Sequence, residues 1–141
     1  MIRKDYILRL IEEAGNLFAR LLGLRVESRH EEAIRLLDET YASFFGLTSQ
    51  QLLQLSPEEL VSHLWKEAAP HEDQVAFLVE LMREESEIYA AQGDWNACSH
   101  TLRQGIRLLQ ELNRLDPKMY HLERIDKISR MESRLLDIPA V

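Results

Sequence analysis

Met82-Arg83-Glu84-Glu85-Ser86-Glu87-Ile88-Tyr89-Ala90-Ala91-Gln92-Gly93-Asp94-Trp95-Asn96-Ala97-Cys98-Ser99-His100-Thr101-Leu102-Arg103-Gln104-Gly105 is the stretch whose reading decides the fold. Two helical periods meet at Gly93-Asp94. Upstream, Val75, Leu78, Met82 and Tyr89 share one helical face and Phe77, Leu81 and Ile88 another, a wide apolar surface that predicts neighbours on two sides. Downstream, Trp95, Cys98, Leu102, Ile106, Leu109 and Leu112 form a second stripe. Glycine takes the left-handed conformation that ends one helix, and aspartate accepts from the free N–H groups that begin the next. The stretch therefore reads as a helical hairpin with a one-step turn.

The same logic extends both ways along the chain. A first helix is expected from about Arg3 to Leu22, on the stripe Ile7, Leu10, Ile11, Ala14, Leu17, Phe18 and Leu21, with Gly23 as its stop and Gly15 at a close backbone approach. Ser28 and Glu31 have the spacing of a capping box for a second helix carrying Ala33, Ile34, Leu37, Tyr41, Phe44 and Phe45 and ended by Gly46. Two short helices follow, opened by Thr48 with Gln51 and by Ser56-Pro57 with Glu59. Pro70 opens the long helix to about Gln92, and its partner ends near Asp116-Pro117. A last helix is expected from about Lys118 to Asp137 on Leu122, Ile125, Ile128, Met131 and Leu135. No segment alternates as a half-buried strand would. The expected fold is all-α, a single domain over 1–141 of antiparallel helical hairpins, with five long and about two short helices.

The stretch from Met82 to Gly105, within a unit of about 79–112, resembles a tetratricopeptide-type helical hairpin. In that family small residues at the helix crossings let two antiparallel helices pack closely. Ser86, Cys98 and Gly105 fall at those positions, and Gly93-Asp94-Trp95 matches the turn. Small side chains let helix axes approach to roughly 8 Å. Glu85 stands where the family prefers leucine, and the closing proline comes late, at Pro117. Ala33, Leu37 and Thr40 echo Cys98, Leu102 and Gly105. The resemblance implies a right-handed array or bundle of hairpins. The opening Met1 to Arg9 is also similar to that of a family of small bacterial all-helical proteins of unknown function, which implies a bacterial origin and supplies no activity.

Charge narrows the function classes. The chain has 24 acidic and 17 basic residues, a net charge of −7, the wrong sign for nucleic acid and for an anionic membrane surface. No apolar run approaches the roughly 18 residues of a membrane span. Arg9, Glu12 and Glu13 interrupt the N-terminal apolar residues as a signal peptide would not, so a cytoplasmic location is expected. Residues 56–99 carry a net charge of −8 and residues 100–134 a net +3. Segments of opposite sign either face each other, within a chain or across a dimer, or are simply solvated.

Chemistry-bearing motifs are sparse. The five histidines, His30, His63, His71, His100 and His121, form no His-Glu-x-x-His, and the lone Glu27-x-x-His30 straddles a helix start. Cys98 shares the stripe of Trp95 and Leu102, which reads as a small buried hydrophobe. No glycine-rich phosphate loop occurs. No catalytic residue, cofactor or metal is therefore expected. The tetratricopeptide resemblance implies a partner groove lined by the polar face of the hairpin's first helix, here Glu80, Arg83, Glu84 and Glu87, and so acidic a groove suits a basic segment of a protein. The leading expectation is a non-enzymatic protein–protein interaction module that forms a homo-oligomer. The competing expectation is a small-ligand-binding protein or enzyme with a site assembled between helices.

Overall fold

A computed structural model describes residues 4–65, 72–115 and 122–139. Seven helices occupy them: α1 (Lys4–Val26), α2 (His30–Phe45), α3 (Ser49–Gln54), α4 (Pro57–Leu64), α5 (Glu72–Ala91), α6 (Trp95–Leu115) and α7 (Leu122–Leu136). No strand is among the described residues. None of these helices is long and apolar enough to cross a membrane. The expected helix openings at Pro70 and Lys118, the stop at Asp116-Pro117, His71 and His121 lie outside the described residues. So do the side chains of Ile7, Leu10 and Ile11.

Local sequence accounts for most helix boundaries. Thr48 accepts from the Gln51 N–H and Gln51 reaches back to the Thr48 N–H; Ser56 and Glu59 do the same, with Pro57 at the first helical position. Asp94 Oδ1 accepts from the Ala97 N–H at 3.2 Å and opens α6. Gly46 and Gly93 both have positive φ, and the N–H groups of Gly93 and Asp94 return to the carbonyls of Ala90 and Tyr89. That paired closure satisfies two carbonyls the end of α5 would otherwise leave free.

The α1–α2 junction departs from expectation. Gly23 does not end α1, which runs on to Val26. Ser28 does not cap α2, whose preceding residue is Arg29 with no side-chain cap. Ser28 instead closes α1: it has φ 59°, its N–H donates to the Arg25 carbonyl at 3.1 Å, and the Arg29 N–H donates to the Leu24 carbonyl at 2.8 Å. A residue used as the left-handed terminus of one helix cannot also hold the extended backbone of an N-cap. Gly15 is likewise not at a close approach to any described residue, since a Cβ there would meet none of them within 4 Å.

α5 and α6 pack along their lengths across the three-residue turn and so run antiparallel. α1 and α2 lie against α5, while α3, α4 and α7 lie against α6. The two apolar faces of α5 serve this arrangement, and its buried set includes Val75, Phe77, Leu78, Leu81, Met82 and Ile88. Phe77 meets Phe18 of α1 at 5.9 Å between ring centroids and Phe44 and Phe45 of α2 at 5.1 and 6.0 Å. The aromatic cluster is thereby used inside the chain, in edge-on geometry with Phe18 and Phe44 that suits ring quadrupoles. Ser86, Cys98 and Gly105 are all buried between neighbouring helices. Gln104, also buried, donates from Nε2 to the carbonyls of Leu52 and Leu55 at 2.8 and 2.6 Å, fastening the end of α3 to the hairpin.

Candidate functional site

The outer face of α5 lies between the end of α1 and α7. Glu80 accepts from Arg83 Nη1 at 2.8 Å and lies 3.8 Å from Lys127 Nζ on α7. Glu87 accepts from Arg134 Nε at 2.8 Å. Near the start of α5, Glu72 pairs with Arg124, whose Nη1 also donates to Asn113 of α6 at 3.3 Å. The pairs 72 with 124, 80 with 127 and 87 with 134 ascend together, so α7 runs in the same direction as α5. Glu80 and Glu87 are seven apart, as are Lys127 and Arg134; two helical turns on each helix bring the second pair into the register of the first. The opposite charges of the middle and C-terminal segments thus face each other within the chain.

Glu84 is placed differently. It faces α1, with Oε2 3.5 Å from Arg25 Nε. Both atoms are buried and neither makes a hydrogen bond. Burial pushes the Glu84 carboxyl above its ordinary pKa, opposed by Arg25 and reinforced by Glu87 and Glu80. The four residues singled out from sequence therefore share one wall of a cleft of about 390 Å³. Ser129, Arg130, Ser133 and Arg134 of α7 form the other wall, with Leu102 and Met131 at the base. Met131 itself sits against Gly105: a Cβ at 105 would fall 2.5 Å from its Cε.

Behind this face lies a polar site that the apolar stripes do not reveal. Glu85 is 2% exposed and accepts from Tyr41 Oη of α2 at 2.8 Å and Tyr89 Oη at 2.7 Å. Burial raises its pKa, the two tyrosine hydrogen bonds lower it, and nearby Asp38 raises it further. Both tyrosine hydroxyls are pushed up in turn, first by burial and then by the charge of Glu85. The Glu85–Tyr89 half of the triad was open to sequence, because residues four apart share a helical face. Tyr41 was not, lying 44 positions away.

The remaining candidates separate. Cys98 is fully buried, and burial raises its thiol pKa, which keeps it from the nucleophilic thiolate form. No group of three or more His, Cys, Asp or Glu side chains among the described residues is arranged to hold a metal ion. A second open cleft, of about 490 Å³, lies between the end of α1 and the start of α2, lined by Arg20, Glu27, Arg29, Glu32, Arg35 and Glu39 among others. Its charges pair along the surface, Arg29 with both Glu27 and Glu32. Comparison with protein-family models, curated proteins and solved structures finds no match for this chain.

Proposed function

We propose that this protein is a non-enzymatic, tetratricopeptide-like interaction module whose α5 face, with Glu80, Arg83, Glu84 and Glu87, engages a basic helical or extended segment of a partner protein. One observation carries the reading: the face already holds a basic helix, the chain's own α7, through Glu72, Glu80 and Glu87. α7 works as an internal template for what the face accepts, a stripe of Arg124, Lys127, Met131 and Arg134 at helical spacing. Glu84 lines the same cleft, and its buried Oε2, beside Arg25 of α1, makes no hydrogen bond. A bacterial, cytoplasmic setting and self-association belong to the same reading. The aromatic cluster and the charge asymmetry are both used within the chain, so self-association must rest on another surface.

The test is fluorescence anisotropy with a labelled helical peptide carrying the Arg-Lys-Met-Arg stripe, titrated with the full chain at low and high salt. Binding that weakens with salt, and is lost both for a charge-reversed peptide and for Glu84→Lys, supports the reading. Equal binding by the reversed peptide, or by Glu84→Lys protein of unchanged helicity, refutes it.

A further inference from the structure

Glu80, Glu84 and Glu87 are all engaged within the chain already. Glu80 Oε1 takes both Arg83 and Lys127, at 2.8 and 3.8 Å. Glu84 turns to Arg25 of α1. Both carboxylate oxygens of Glu87 accept from Arg134, at 2.8 and 3.4 Å. Glu80 and Glu87 are thus held by one helix, α7. A basic helix that paired with them as α7 does would have to stand where Lys127 and Arg134 now stand. Partner and α7 therefore compete for the same atoms.

α7 is lightly anchored in that position. Only Arg124 and Met131 of its 15 residues are buried, against ten of the 21 in α6. Its inward stripe, Arg124, Lys127, Met131 and Arg134, follows the alternating three- and four-residue spacing of a seam between paired helices. Arg124, Lys127 and Arg134 are cations, so charge stands where most seams are apolar. Ion pairs as accessible as Lys127 with Glu80 and Arg134 with Glu87 hold weakly and are screened by salt. Ile128 and Leu135 add partly buried apolar contact. The fully buried apolar anchor is Met131. A Cβ at Gly105 would lie 2.5 Å from its Cε and 3.9 Å from Met82 Cε. The missing side chain at 105 thus leaves a notch that an unbranched, adaptable side chain fills. Helices with so few buried apolar contacts lie at the low-stability end of a fold.

We propose, resting on the partner-binding reading of the α5 face, that α7 is an autoinhibitory helix. It occupies the face in the free protein and leaves it when the basic helix of a partner binds. The seam it vacates specifies that helix. A flexible, unbranched apolar side chain enters the Gly105 notch. A cation four residues before it reaches Glu80, as Lys127 does, and another three residues after it reaches Glu87, as Arg134 does. The incoming helix also covers Leu102 at the base of the cleft. Because α7 holds the closed state, the partner's apparent affinity is its intrinsic affinity reduced by the fraction of chains with α7 released. Weakening α7 without touching the receiving face therefore tightens partner binding. A helix that docked beside α7 would gain nothing from it.

Two measurements on the full chain test this, both in low salt with the labelled peptide carrying the Arg-Lys-Met-Arg stripe. Met131→Ala changes no charge and removes the central anchor of α7. It should bind the peptide roughly tenfold or more tightly than wild type by fluorescence anisotropy. On wild type itself, saturating peptide should accelerate amide exchange across Leu122–Leu136 while the α5–α6 hairpin keeps or gains protection. The second measurement needs no variant, so it decides the matter even where Met131→Ala folds poorly by circular dichroism. Equal affinity of the peptide for the two folded proteins, or protection of α7 unchanged or raised by the peptide, overturns the displacement and leaves the partner-binding face standing. A peptide that binds neither protein up to about 1 mM overturns that face, and the autoinhibition with it.

Discussion

Replacing Glu85 by glutamine removes a buried charge while keeping the side chain's shape and one carbonyl oxygen for a tyrosine to donate to. The pKa of this carboxyl is raised in the folded chain, chiefly by burial. Between its unfolded and folded pKa values the folded protein holds more protons than the unfolded one, so stability falls as pH rises through that window. Below the unfolded value the penalty vanishes, and above the folded value it is fully present. One proton contributes a slope of at most about 1.4 kcal/mol per pH unit. Urea unfolding of wild type and Glu85→Gln from pH 4 to pH 8 should therefore give curves that diverge, the variant gaining on wild type as pH rises. Glu85→Ala behaves differently. It strips the fully buried Tyr41 hydroxyl of its acceptor, which costs about 1–3 kcal/mol, and with the lost packing the total is roughly 2–4 kcal/mol. Half-buried Tyr89 can turn to water and adds little. Parallel pH curves for wild type and Glu85→Gln would refute the buried-charge account. So would an alanine variant within about 0.5 kcal/mol of wild type, since a buried unsatisfied hydroxyl cannot be that cheap.

Ser28→Gly should raise stability by about 0.5–1 kcal/mol, because serine holds the left-handed backbone that closes α1; chemical denaturation reads the sign directly. Gln104→Ala should lower it by roughly 2 kcal/mol, leaving the carbonyls of Leu52 and Leu55 without their shared donor, as the same assay would report. Met131→Ala should loosen α7 selectively, because Met131 fills the space that Gly105 leaves open. Amide exchange should then accelerate across Leu122–Leu136 while the α5–α6 hairpin keeps its protection. Uniform acceleration along the chain would show instead that α7 and the hairpin open together.

The pattern of apolar residues was enough to place every described helix and most of its ends, because those signals are local. The 3.6-residue period shows within a few turns, and a cap such as Thr48 with Gln51 or Gly93 with Asp94 spans four residues or fewer. Ser28 marks where local reading fails. The same serine suits either the N-cap of α2 or the left-handed close of α1, and only the extension of α1 to Val26 decided between them. The candidate face was half legible. Glu80, Glu84 and Glu87 share a face by spacing alone, but what opposes them is a tertiary fact. Lys127 and Arg134 lie 47 residues on from their acids, and Arg25 lies 59 before Glu84. Periodicity along one helix carries no information about which face of a distant helix will oppose it. The Glu85–Tyr41 bond was hidden for the same reason, and so was the exposure of Leu8, Leu22 and Val26 on α1. Whether an apolar face is buried or left open depends on how many neighbours the remaining helices supply, and that is settled only when they pack.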